Sequence, residues 1–212
     1  MSTVKSWHSH ITDKHAFELF GDGKAATSTR DKLLDTALDL FYTNGIHAVG
    51  IDQIISEVGV TKTTFYNHFE SKDQLILDAL ARRGEWESKA FMARLFELVG
   101  DNPKKMLLAV FDVFDEWFTE PDYRGCQFLS ACMEFPSPSD PIHQIGAQHE
   151  INVCMMIADT ARKAGAKDPD ALAEQITMLL NGALMHRLVR CDKKAASKAR
   201  VAAAELIEKQ IT

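Results

Sequence analysis

Lys62, Thr63 and Asn67 lie within six residues of one another, and their side chains suit the edges of DNA bases. A lysine ammonium donates to O6 and N7 of guanine, and an asparagine amide pairs with adenine through two hydrogen bonds. On a helix opening at Lys62, Thr63 and Asn67 fall on one face with Tyr66, while Phe65 and Phe69, four apart, anchor another. A helix that merely shows a polar face to solvent has the same pattern, so these residues alone leave both readings open.

The elements around them decide how such a helix is held. Ile51, Ile54, Ile55 and Val58 repeat at i, i+3, i+4 and i+7, the apolar stripe of a short helix. Gly59 stops it, because glycine tolerates the left-handed backbone of a helix end. Thr61 is then a natural N-cap for the helix that starts at Lys62. Two short helices joined by a tight turn form a helix-turn-helix, whose second helix enters the major groove of DNA. Upstream, a helix from about Thr29 carries Leu33, Leu34, Ala37, Leu38 and Phe41 on one face and stops at Asn44-Gly45. Downstream, Ser71 caps a longer helix that reaches the nineties, with Asp73 at its positive end.

Gly59-Val60-Thr61, then Phe65-Tyr66-Asn67-His68-Phe69, then Lys72 and Leu75, resemble the signature of the TetR/AcrR family of bacterial transcriptional regulators. The resemblance extends upstream through Leu38, Phe41 and Asn44-Gly45, covering residues 30–77 without a gap. It implies that Tyr66, His68 and Lys72 contact phosphate, and that Lys62, Thr63, Thr64 and Asn67 face the operator. One departure is Val49-Gly50, where the family often has Ser or Thr before the first helix of the motif. Glycine still serves as an N-cap, although one phosphate-contacting hydroxyl is then missing.

The rest of the chain reads as helical throughout. Segments run from Asn102-Pro103 to about Thr119, from Cys126 to Pro136, over about 141–164, from Asp168-Pro169 to about Arg190, and over 193–211. Polar residues on their apolar stripes stand out: His149 in register with Ile142, Ile145, Val153 and Met156, and Asn181 with Thr177, Leu184 and Met185. With Phe114, Trp117, Phe128, Met133 and Met178 they could line a mostly apolar pocket with few polar anchors. The resemblance independently implies an effector pocket in this half; a lone histidine on such a stripe also fits an ordinary core or surface position. Residues 171–189 are apolar on more than one side (Leu172, Ile176, Leu179, Leu180, Leu184, Leu188), and the final helix repeats Ala195, Ala199, Ala202, Ala203 and Leu206. Two such helices from each subunit make a four-helix homodimer interface, as the resemblance also implies.

Composition narrows the classes. Length 212, 46% hydrophobic and 25% charged residues fit a soluble globular protein, without the ~18-residue apolar run of a membrane span. Cys126, Cys132, Cys154 and Cys191 form neither a disulfide framework nor a zinc pattern, and with no signal peptide the expected compartment is the cytoplasm. His8, His10 and His15 read as incidental. Cys126 after Gly125, at a helix start, is either a small buried hydrophobe or a thiolate sensor. No catalytic triad order, phosphate-cradling glycine loop or metal-ligand spacing is present in the body, so no enzyme, cofactor or metal is expected. The net charge is −6, and residues 30–83 hold six bases against eight acids, which predicts weak general affinity for DNA.

The sequence therefore predicts an all-α protein: a mobile arm (1–28), a three-helix DNA-binding head (29–75), and a larger helical effector-binding and dimerisation body (76–212). The expected function is a repressor released from a palindromic operator by a small, largely apolar effector. A cysteine-based redox regulator and a helical adaptor without DNA affinity are the alternatives.

Overall fold

The computed structural model describes residues 28–211; the histidines of the N-terminal arm, and the arm itself up to residue 27, lie outside them. Nine helices follow one another among the described residues: α1 (Thr29–Asn44), α2 (Ile51–Val58), α3 (Lys62–Tyr66), α4 (Lys72–Val99), α5 (Pro103–Phe118), α6 (Gln127–Glu134), α7 (Pro141–Lys163), α8 (Pro169–Arg190) and α9 (Ala195–Gln210). None is long and apolar enough to cross a membrane.

Local capping chemistry sets most of these boundaries. Ser28 Oγ accepts from the Asp31 amide at 3.1 Å, Thr61 Oγ1 from Thr64 at 3.1 Å, and Ser71 Oγ from Gln74 at 3.1 Å. Asn102 and Asp168 cap α5 and α8, each followed by a proline whose missing N–H is no loss in the first turn. Gly59 ends α2 at φ +76°, and both its amide and that of Val60 donate to the Ile55 carbonyl.

The described chain divides into two compact units. The head unit takes the residues up to Lys89 together with Cys126–His149. Its core joins Leu33, Leu34, Leu38 and Phe41 of α1 to Ile54 of α2, Phe65 of α3, and Leu75, Ile76 and Leu80 of α4; Phe128 and Ala131 of α6 close it. The body unit takes Ala90–Gly125 and the residues from Glu150 onward. There, Leu107, Val110 and Phe111 of α5 pack with Ile157 of α7, Leu172, Ile176 and Leu180 of α8, and Ala203 and Ile207 of α9. A bidentate fork adds to it: Arg94 Nη2 and Nε reach the two Glu116 oxygens at 2.7 and 3.0 Å.

α8 differs from the expectation. Leu172, Ile176, Leu180 and Leu184 are buried inside the body, because α9 packs along α8 and α5 along α9. The exposed apolar side chains of α8 are instead Met178, Met185, Leu188 and Val189, joined on α9 by Val201. Ala195 and Ala203 likewise face the interior, and Ala202 faces outward.

Candidate functional site

α3 is only five residues long, and its position is fixed from below. Phe65 is fully buried and meets Phe69 at 5.7 Å between ring centroids. The helix stops at Tyr66, where Asn67 N–H donates to Thr63 O and His68 N–H to Phe65 O. Phe69, expected on the same helix, therefore sits beyond it, and the turn returns its ring to the core. With Phe65 inward, Lys62, Thr63, Tyr66, Asn67 and His68 are exposed as a group, and Tyr66 retains 49% of its surface. Thr64 is half-buried, its hydroxyl bonded to that of Thr61 at 2.8 Å.

The two lysines flanking this surface are both engaged. Lys62 Nζ lies 3.0 Å from Asp52 Oδ1, a bond that raises its pKa. Lys72 Nζ donates to the Ile46 carbonyl at 2.6 Å and lies 5.9 Å from the centre of the Phe41 ring, and burial lowers its pKa. Lys72 thus ties the α1–α2 turn to the start of α4.

The same turn is held from α6, which sequence reading missed. The Glu134 carboxylate accepts from the amides of Ile46 at 2.9 Å and His47 at 2.7 Å. His47 Nε2 is 2.8 Å from the Glu134 carbonyl, and the imidazole stacks on Phe135 with centroids 4.4 Å apart. Some 87 residues separate these partners, so no local pattern announces the clamp. Asp52 had a weak signal, since it and Lys62 occupy the first turns of successive helices.

The expected effector residues fall in both units. In the body, Phe114 meets Trp117 at 5.6 Å and Phe91 at 6.2 Å, Trp117 meets Tyr123 at 5.1 Å, and Arg187 lies over Tyr123 at 4.5 Å. Asn181 donates its amide to Glu150, while Met178 is exposed. In the head unit, His149 stacks on Phe128 with centroids 3.6 Å apart; its Nε2 is 3.8 Å from Glu87, which also binds Arg83. Met133 of that unit is exposed. Cys126 occupies the N-cap of α6, half-buried.

Comparison with known proteins agrees with this geometry. The family model of bacterial regulatory proteins, tetR family, matches residues 33–79, which span α1 to the first turns of α4. The HTH-type transcriptional regulator YjdC of Escherichia coli is 24% identical over 160 residues, covering 76% of this chain and 83% of its own. A solved TetR-family transcriptional regulator from Streptomyces coelicolor aligns over 86% of this chain and 96% of its own, at 28% identity and a TM-score of 0.76. The head is that of the TetR family. The chain is a helix-turn-helix transcriptional regulator rather than an enzyme. The HTH-type transcriptional activator FasR of Mycolicibacterium smegmatis is 33% identical over 100 residues, 47% of this chain and 44% of its own.

Proposed function

We propose that this regulator is a cytoplasmic homodimeric repressor of the TetR family. Its head reads a near-palindromic operator through Lys62, Thr63, Thr64 and Asn67, with Tyr66, His68 and Lys72 toward phosphate. A small, largely apolar effector in the body releases it, which requires the effector to favour a state whose heads no longer match the operator. The observation that carries the DNA reading is the short α3, pinned by buried Phe65 and presenting Lys62, Thr63, Tyr66 and Asn67 outward after a left-handed Gly59. The effector reading is supported by two features of the body unit, the ring cluster around Trp117 and the Asn181–Glu150 hydrogen bond, an apolar group and a polar anchor of the kinds such sites combine. FasR carries the name of an activator, so the sign of regulation is tested along with binding.

Selection of bound sequences from random duplexes, then binding by Lys62→Ala and Asn67→Ala variants, tests the head. Each is expected to lose about 1–3 kcal/mol of specific binding per subunit, the worth of a good base contact. Unchanged affinity in both would sink the placement of the reading helix. A reporter downstream of the selected sequence gives the sign: repression is expected, and activation would overturn it. The thiol reading rests on Cys126 at the α6 N-cap; it gains if peroxide releases wild-type protein from DNA and leaves Cys126→Ser bound.

A further inference from the structure

We infer that Asp52 is a specificity-determining residue of the head, acting through Lys62 to suppress binding to non-operator DNA; this rests on the reading of α3 as the DNA-contacting helix. The two side chains meet at 3.0 Å across the turn of the motif, and 79% of the Asp52 side chain and 57% of the Lys62 side chain remain open to solvent. An exposed pair of this kind contributes little to stability. Its consequence lies in what Lys62 can bind next.

The other cations of the head with located partners are held in the same way. Arg30 is bound to Asp78 at 2.6 Å, Arg82 to Asp31 and Asp35, Arg83 to Glu87, and Lys72 to the Ile46 carbonyl. Lys62 is the one lysine on the reading helix, and it carries an acid at its tip. A phosphate approaching Lys62 must displace Asp52 or meet its negative charge, so the counterion release that drives non-specific binding is largely forfeited there. A base edge imposes no such exchange. The ammonium has three protons, and the bond to Asp52 leaves two for guanine O6 and N7. The second Asp52 oxygen is an acceptor suited to the amino group of cytosine. The pair therefore presents a donor beside an acceptor, the complement of a G·C pair in the major groove, while offering little to the backbone.

The test uses full-length wild type, Asp52→Asn, Asp52→Glu, Lys62→Ala and the Asp52→Asn/Lys62→Ala double variant. Each is titrated with the selected operator and with a scrambled duplex between 0.05 and 0.2 M salt. Freeing one lysine for phosphate steepens the salt slope by about 0.9 per head, which is roughly tenfold in affinity at 0.1 M. Asp52→Asn is expected to bind the scrambled duplex about tenfold more tightly per head and the operator by much less, so the ratio between them falls. Asp52→Glu is expected to keep the wild-type ratio. In the Lys62→Ala background, Asp52→Asn is expected to leave the ratio unmoved. An unchanged ratio in Asp52→Asn, or the same fall with and without Lys62, overturns the inference. If wild type itself does not prefer operator over scrambled DNA, the reading of the head fails instead. Matching thermal unfolding curves establish that the variants are folded.

Discussion

At the scale of single residues, the head carries more acid than its few arginines and lysines neutralise, and Asp39 shows what that costs. Burial is the main reason its pKa rises to about 6; repulsion from Asp35 adds to it, and Arg83 partly offsets both. A raised carboxyl pKa means that the folded state holds the proton more tightly than the unfolded chain, whose value lies near 4. Asp39 therefore weakens the fold progressively as pH rises from about 4 to 6, and the penalty is complete above that. Two units amount to about 3 kcal/mol, which screening at a partly exposed site reduces to about 1–2 kcal/mol. Asp39→Asn is expected to be more stable than wild type by that amount at pH 7 and to match it near pH 4. Denaturant unfolding at both pH values measures it, and the difference between the proteins cancels opposing contributions such as Asp31, whose pKa is lowered by its Ser28 hydrogen bond and by Arg82. Equal stability at pH 7 would remove the assigned penalty.

Between helices, the decisive contact is the grip of α6 on the α1–α2 turn. Glu134→Ala leaves the Ile46 and His47 amides without their charged acceptor, an expected loss of about 2–3 kcal/mol in head stability, with Glu134→Gln losing less. Because that turn sets the entry to α2, operator affinity is expected to fall in the same order, and unchanged unfolding would refute the role. What the sequence could and could not reveal follows the same division. Helix starts were legible because Ser28, Thr61, Ser71, Asn102 and Asp168 bond to amides only three residues away. The end of α3 was not: the i, i+4 spacing of Phe65 and Phe69 fits one helix, but the chain turns after Tyr66 and buries Phe69 from a loop. The Glu134 clamp had no local signal. On α8, a mostly apolar helix gives no sequence cue as to which leucines meet α9 and which side is left over.

For the whole molecule, that leftover side is where assembly is expected. Met178, Gly182, Met185 and Val189 lie on one exposed stripe of α8, and Val201 and Ala202 are exposed on α9. Unbranched methionines and small residues allow close helix approach. Function points the same way, because one acidic head with its cations largely committed binds DNA weakly, and a second copy doubles the base contacts. A two-fold dimer places its reading helices about 34–36 Å apart or at a multiple of that, which the half-site spacing of the selected operator checks. Substituting Leu180 and Leu184 would not test this surface: both are buried in the body, and charge there unfolds the unit. Met178→Glu with Met185→Glu acts on the exposed stripe. The doubly substituted protein is expected to sediment as a monomer with an unfolding curve close to wild type, and to lose operator binding. A wild-type monomer at micromolar concentration that still binds operator tightly would refute the assembly, and so would a double variant that remains dimeric.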